Sequence, residues 1–114
     1  MATGSIKKPV RAVCNASGQT KLYGETSSTD GIQTISITPQ ADGMILVIVR
    51  PIANAANEAV VQLLQNGTLF SVVSGSKNSL IDFSLTYPVA KGETYQVQTY
   101  RCNIKNGIFL NSYI

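Results

Sequence analysis

The run Asp42-Gly43-Met44-Ile45-Leu46-Val47-Ile48-Val49-Arg50-Pro51 decides the architecture. Six consecutive apolar residues, four of them β-branched, stand between an Asp-Gly turn and an Arg-Pro stop. The run is too short for a helix and carries breakers at both ends, so it is a strand. Alternation puts Met44, Leu46 and Ile48 on one face and Ile45, Val47 and Val49 on the other. Leaving three such side chains in water would forgo roughly 1.5–3 kcal/mol apiece, about 5–9 kcal/mol per chain, comparable with the whole stability of a small domain. Both faces therefore call for cover. A two-layer β domain covers one face of each sheet, which leaves a partner subunit or an overlying loop of the same chain for the second. The partner is the favoured cover, and residues 44–49 are the expected oligomer interface.

Outward from this strand the pattern stays β. Ahead of it, Ile35 and Ile37 alternate with Thr34, Ser36 and Thr38 in a half-buried strand over 32–38, and 39–43 form the turn between the two. Residues 25–31 form a turn-rich loop, and Thr20-Lys21-Leu22-Tyr23 a short strand. Residues 15–18 are expected to turn the chain, and a first strand to begin at Val10. Residues 1–9 are small, polar and basic, a flexible lead or docking tail, so the domain is expected to span 10–114.

Beyond Pro51, residues 52–57 are a connection rich in Ala and Asn. Ala59, Val60, Leu63 and Leu64 fall at helical spacing, but Asn66-Gly67 follows, and both residues accept the positive φ of a type I′ turn. A hairpin of 60–65 with 68–73 is favoured over a short helix. Residues 74–78 are a loop. Ile81, Phe83, Leu85 and Tyr87 then alternate with Asp82, Ser84 and Thr86, a strand expected to end at Pro88 with its apolar face in the core. Lys91-Gly92 turns into a strand over 94–101, and Asn106-Gly107 turns into a last one over 108–114. Eight or nine short strands with turns every 8–12 residues predict an all-β sandwich or barrel, and an eight-stranded, two-sheet jelly roll fits the tally.

The composition narrows the function. The chain is 114 residues, one domain, with only 13% charged residues, well below the usual roughly 25%. Its polar surface positions are filled by neutral residues, which suits packing against other chains or against sugars. The net charge of +3 is scattered, with no block longer than Lys7-Lys8, so nucleic acid is not an expected partner. No segment approaches the roughly 20 apolar residues of a membrane span. The first 13 residues hold no apolar core of a secretory signal, so synthesis in a reducing cytoplasm is expected, with Cys14 and Cys102 as free, buried thiols. A bridge between them is open only if the first and last strands pair.

Nothing in the chain is arranged for catalysis. There is no histidine, which removes the commonest general base and metal ligand. The six carboxylates, Glu25, Asp30, Asp42, Glu58, Asp82 and Glu93, fall mostly in turns or at strand ends, and Asp30 and Asp42 each precede a glycine as turn geometry asks. No serine sits in a nucleophile elbow, and the glycines follow no phosphate-loop spacing. No enzyme, metal or cofactor is expected. Tyr23, Tyr95, Tyr100 and Tyr113 lie among polar neighbours, where tyrosines stack on sugars or anchor interfaces, although half-burial at a sandwich edge is the commoner outcome.

Three motifs in order carry a resemblance. Gln40-Ala41-Asp42-Gly43-Met44-Ile45-Leu46-Val47 enters an inner strand, Val61-Gln62-Leu63-Leu64-Gln65-Asn66-Gly67 makes a hairpin, and Tyr87-Pro88-Val89-Ala90-Lys91-Gly92-Glu93-Thr94-Tyr95-Gln96-Val97 makes a turn. With the apolar C-terminal strand, these resemble the small jelly-roll domains at the tips of bacteriophage tail fibres and other virion fibres, related in form to the trimeric heads of complement-type and tumour-necrosis-factor-type proteins. Met44 stands where that family usually has an aromatic, and Leu110-Asn111-Ser112-Tyr113-Ile114 replaces its aromatic-Pro-Tyr ending. The resemblance implies a homotrimer packed on one sheet. It also implies residence in a virion, made in the host bacterial cytoplasm as a fibre tip or head decoration, with other virion proteins or a host-surface glycan or protein as partner. The contact loops are then 25–31, 53–57 and 74–78, with Ser28, Asp30, Asn54, Asn57, Lys77 and Asn78 as candidate binding residues. The other reading is a monomeric carbohydrate-binding module of a bacterial protein.

Overall fold

A computed structural model describes residues 14–26, 31–53, 55, 57–77 and 80–113. Among them there is no helix, and eight strands follow one another: β1 (Cys14–Tyr23), β2 (Ile32–Ile37), β3 (Gly43–Pro51), β4 (Ala59–Gln65), β5 (Thr68–Gly75), β6 (Phe83–Val89), β7 (Tyr95–Tyr100) and β8 (Cys102–Tyr113). They form two four-stranded sheets in the orders β1-β8-β3-β6 and β2-β7-β4-β5. Every pairing is antiparallel. Only β4 and β5 are neighbours in both sequence and space, which is the interleaved order of a jelly-roll sandwich.

The 42–51 run is the centre of the first sheet, with β6 on one side and β8 on the other. Burial alternates along it without a break: Ile45, Val47 and Val49 are 0% exposed, and Met44, Leu46 and Ile48 are half-buried. The inward three pack into one core with Val61 and Leu63 of β4, Val97 of β7, Leu85 of β6, and Ile104, Ile108 and Leu110 of β8. Thr99 is fully buried as well, and its hydroxyl hydrogen-bonds the Gln33 side chain at 3.3 Å. A buried hydroxyl without a partner would cost about 1–3 kcal/mol.

The β4–β5 hairpin turns where expected. Asn66 and Gly67 have φ of 50° and 79°, both positive as a type I′ turn requires, and Gln65 pairs with Thr68. The helical spacing of Ala59, Val60, Leu63 and Leu64 yields to a strand whose alternate residues Ala59, Val61 and Leu63 are core.

Several boundaries differ from expectation, each for a local reason. Residues 15–18 do not turn the chain; they lie inside β1 as an irregularity between Cys14 and Gln19. Asn106-Gly107 is not a turn between strands either. With φ of 66° and 119°, it is a bulge within β8, where the register against β3 shifts between Val47 and Val49. Pro88 lies within β6 because that strand is a sheet edge, where a missing N–H costs no ladder bond. Ile81, expected in the core, precedes β6 and is 76% exposed. The strand over 94–101 stops one residue early, at Arg101, whose φ of 56° swings the chain from one sheet into the other. The lead over 1–9 and the start of a strand at Val10 lie outside the described residues.

The first and last strands do pair, but the register sets Cys14 opposite Tyr113, at the far end of β8 from Cys102. Cys102 is a free, buried thiol whose S–H donates to the Val60 carbonyl at 3.5 Å.

Candidate functional site

Three surfaces are left by this packing, the outer faces of the two sheets and one end of the sandwich. The first is the outer side of β1-β8-β3-β6. Directly paired residues of neighbouring strands project to the same side, so Phe109 of β8 and Thr86 of β6 flank Leu46, and Asn111 and Pro88 flank Met44. Lys21 of β1 pairs with Phe109 and sets its ammonium 5.8 Å from the ring centroid. Met44, Leu46, Ile48 and Phe109 thus form an apolar strip, half-buried by lateral neighbours in their own sheet. Among the described residues no helix or strand lies across this strip. The surface that residues 44–49 offer to another chain narrows to Met44, Leu46 and Ile48, because Ile45, Val47 and Val49 are used up in the core of their own sandwich.

The two ends of the sandwich are built differently. At one end short turns are cross-tied. The Asp42 carboxylate accepts the Lys91 N–H at 2.8 Å, its carbonyl accepts the Tyr113 N–H at 3.1 Å, Gly92 N–H donates to the Pro39 carbonyl at 2.9 Å, and Gln65 donates to Glu93 at 2.9 Å. At the other end β1, β3, β5 and β7 finish, and the four links to the next strands leave from there. Thr26 and Ile104 bond each other through the Ile104 N–H and the Thr26 hydroxyl at 3.0 Å, and Ile52 N–H donates to the Arg101 carbonyl at 3.0 Å. An open cleft of about 590 Å³ lies there, lined by Asn57, Glu58, Val60, Ser76, Lys77 and Arg101. The Arg101 Nε donates to the Glu58 carbonyl at 2.6 Å, and its guanidinium lies 5.9 Å from the Tyr100 ring centroid.

Of the candidate binding residues, Asn57 and Lys77, from two loops that the sequence places about twenty residues apart, come together in this cleft. Ser28, Asp30, Asn54 and Asn78 lie outside the described residues. Glu58, Val60, Ser76 and Arg101 were not singled out from the sequence. An arginine with positive φ has no sequence signature, and Glu58 gave no spacing signal beyond marking a strand end.

A third feature is the outer face of β2-β7-β4-β5. Thr34, Gln98 and Gln62 form one rung across three strands, with the Gln62 amide donating to Gln98 at 2.7 Å and that of Gln98 to Thr34 at 3.3 Å. Tyr100 stands half-buried beside this ladder. The other tyrosines divide. Tyr23 is 43% exposed, and Tyr113 is half-buried. Tyr95 is core, its hydroxyl accepting the Ala90 N–H at 2.8 Å.

Most described carboxylates have structural partners. Asp82 pairs with Arg50 at 2.6 Å, and Asp42 and Glu93 tie the closed end. Among the described residues no three His, Cys, Asp or Glu side chains gather as metal ligands, and no helix is long and apolar enough to cross a membrane. Burial pushes the Cys102 thiol up to about 11, so at neutral pH it is protonated and a poor nucleophile.

No protein-family model matches the chain, and no curated protein matches it. Among solved structures it is similar to a ruminal GH26 endo-β-1,4-mannanase (TM-score 0.44, 13% identity), covering 86% of this chain and 20% of that one. It is also similar to a structure of Bacillus endospore appendages, described as disulfide-linked pili (TM-score 0.42, 12% identity), covering 88% of this chain and 96% of that one. The chain thus spans about a fifth of the mannanase's length.

Proposed function

We propose that this chain is a structural and recognition module of a bacteriophage particle. In this reading it is a homotrimeric jelly-roll fibre tip or head decoration that assembles on the outer face of β1-β8-β3-β6 and presents its four-loop end to a host-surface glycan or protein. The single observation that carries the reading is the strip Met44, Leu46, Ile48 and Phe109, an apolar face on a central strand with no element of the described chain across it. The interleaved strand order and the resemblance to trimeric fibre tips support it. Light scattering on a sizing column tests it: a mass three times the 12.2 kDa protomer is expected, and a monomer throughout the micromolar range overturns it.

The Gln62–Gln98–Thr34 ladder beside Tyr100 favours a second reading, a monomeric carbohydrate-binding module using its flat polar sheet. Glycan-dependent stabilisation of a monomer, lost on Tyr100→Ala, distinguishes it from the first.

A further inference from the structure

The cleft at the four-loop end has a definite chemistry. Its lining residues include the cations Lys77 and Arg101 and one acid, Glu58, whose backbone carbonyl takes the Arg101 Nε, so the charged residues there sum to a single positive charge. Arg101 is fixed in place before any ligand arrives. Its backbone sits at φ 56°, its carbonyl accepts the Ile52 N–H, and its Nε is spent on the Glu58 carbonyl. The terminal N–H groups of the guanidinium have no partner among the described residues and keep the planar fork that matches a carboxylate. Lys77 is exposed and likewise has no ion-pair partner among the described residues. Around these charges, Asn57 and Ser76 supply hydroxyl-compatible donors and acceptors, and Val60 supplies an apolar wall for the C–H face of a ring. The volume of about 590 Å³ lies within the roughly 300–1,000 Å³ of small-molecule pockets.

We infer that this cleft binds a monocarboxylated saccharide, a uronic acid or sialic-acid-like residue. Its carboxylate sits on the Arg101 fork beside Lys77, and its hydroxyls face Asn57, Ser76 and the Glu58 carboxylate. Glu58 is the discriminating group. A carboxylate accepts hydrogen bonds from sugar hydroxyls, and it repels the second charge of a phosphate monoester. The inference rests on the recognition reading above and names the ligand class for its loop end.

The test is a titration of the full chain, followed by two-dimensional amide NMR, with four probes: methyl glucuronide, methyl glucoside, glucose 6-phosphate and sialic acid methyl glycoside. Methyl glucuronide is expected to shift the amides of Asn57, Glu58, Ser76, Lys77 and Arg101 and to bind at least tenfold more tightly than methyl glucoside. Sialic acid methyl glycoside, run in parallel, reports which acid sugar is preferred within the class. Lys77→Glu, an exposed loop change, is expected to cost at least tenfold in affinity with the amide spectrum otherwise unchanged. Arg101→Lys, which keeps the charge and loses the fork, is expected to cost several-fold. Glu58→Gln is expected to raise affinity for glucose 6-phosphate relative to the uronide. Equal binding of glucoside and uronide, tighter binding of the phosphate by the unaltered chain, shifts mapping elsewhere, or no shift at millimolar uronide each overturn the inference. A neutral glycan bound on another surface would overturn it while leaving the recognition reading standing, and a monomeric mass would do the reverse.

Discussion

Two neighbouring residues of β3 separate what the sandwich needs for itself from what it offers to other copies. Val47 is 0% exposed in the core, and Leu46, one residue earlier, points to the opposite side. Val47→Ala removes two buried methyl groups and leaves a cavity. The transfer loss of about 0.8 kcal/mol per group plus the cavity term comes to about 2–3 kcal/mol. In a domain of this size that lowers the melting temperature by roughly 10 °C. Leu46→Glu puts a carboxylate on a half-buried outer position and costs the isolated sandwich about 1 kcal/mol, a few degrees. In a trimer packed on this face, each copy brings its own carboxylate to a dry seam, where an unpaired charge costs several kcal/mol. A loss of about 4 kcal/mol raises the dissociation constant roughly a thousandfold. Thermal melts followed by circular dichroism, run beside light scattering at matched micromolar concentration, read both effects. Val47→Ala is expected to melt lower, and Leu46→Glu to stay folded at the 12.2 kDa mass of a single chain. If Leu46→Glu keeps the mass of the unaltered protein, the outer face is not the seam. If it unfolds the chain more than Val47→Ala does, the assignment of inner and outer faces is wrong.

Other consequences are as specific. Gly43 is buried against β8, where an added Cβ would meet the Asn111 carbonyl and lie 2.8 Å from the Ser112 Cα; neither is free to move, so Gly43→Ala should cost about 1–3 kcal/mol in a urea melt. Cys102 binds its proton more tightly folded, at about 11, than the ordinary 9.0. The Cys102 contribution to stability is therefore expected to hold below pH 9 and to fall by about 1.4 kcal/mol per pH unit between 9 and 11, read as the difference between Cys14→Ser and the double variant Cys14→Ser, Cys102→Ala. In the Cys14→Ser background the thiol should also react with Ellman's reagent at pH 8 only as fast as the chain opens. Asp42→Ala removes the acceptor for the Lys91 N–H and should cost about 1 kcal/mol without altering the four-loop end. Leu46→Glu should leave the solution affinity of each cleft unchanged while weakening attachment to a surface coated with the same sugar.

Much of the fold was legible because its signals are local. The 44–49 run, the Asn66-Gly67 turn and the alternation of Phe83, Leu85 and Tyr87 each depend on period or turn chemistry within ten residues. What misled was also local chemistry taken at face value. Asn106-Gly107 has the composition of a hairpin turn and serves as a bulge, because both flanking segments already have a place against β3 in one long strand. Pro88 has the composition of a stop and is tolerated because β6 lies at an edge, a fact of topology that alternation does not encode. The cleft was half legible. Asn57 and Lys77 lie in loops recognisable by composition, but Arg101 is placed by a sheet-to-sheet crossover of a single residue with no punctuating Gly or Pro.

The separation of the two surfaces follows from the topology. The cleft residues Val60 and Arg101, and the loop residues Asn57, Glu58, Ser76 and Lys77, border β4, β5 and β7. β4, β5 and β7 all belong to the second sheet. The apolar strip lies on the outer side of the other one. In the proposed assembly, packing through the strip and binding in the cleft would therefore draw mainly on different sheets. In the proposed trimer each copy would keep its own site, and three sites held in one particle would raise attachment through effective concentration rather than through new contacts, by a factor that can reach about 10²–10⁴ when the geometry lets more than one engage. An open polar cleft with few anchoring groups would bind a single sugar weakly, so a module of the proposed kind would gain its hold from number. On that account the greasy face of β3 and the charged loop end are not alternative explanations of the chain. In the proposed particle the first would supply the copies, and the second would gain from their number.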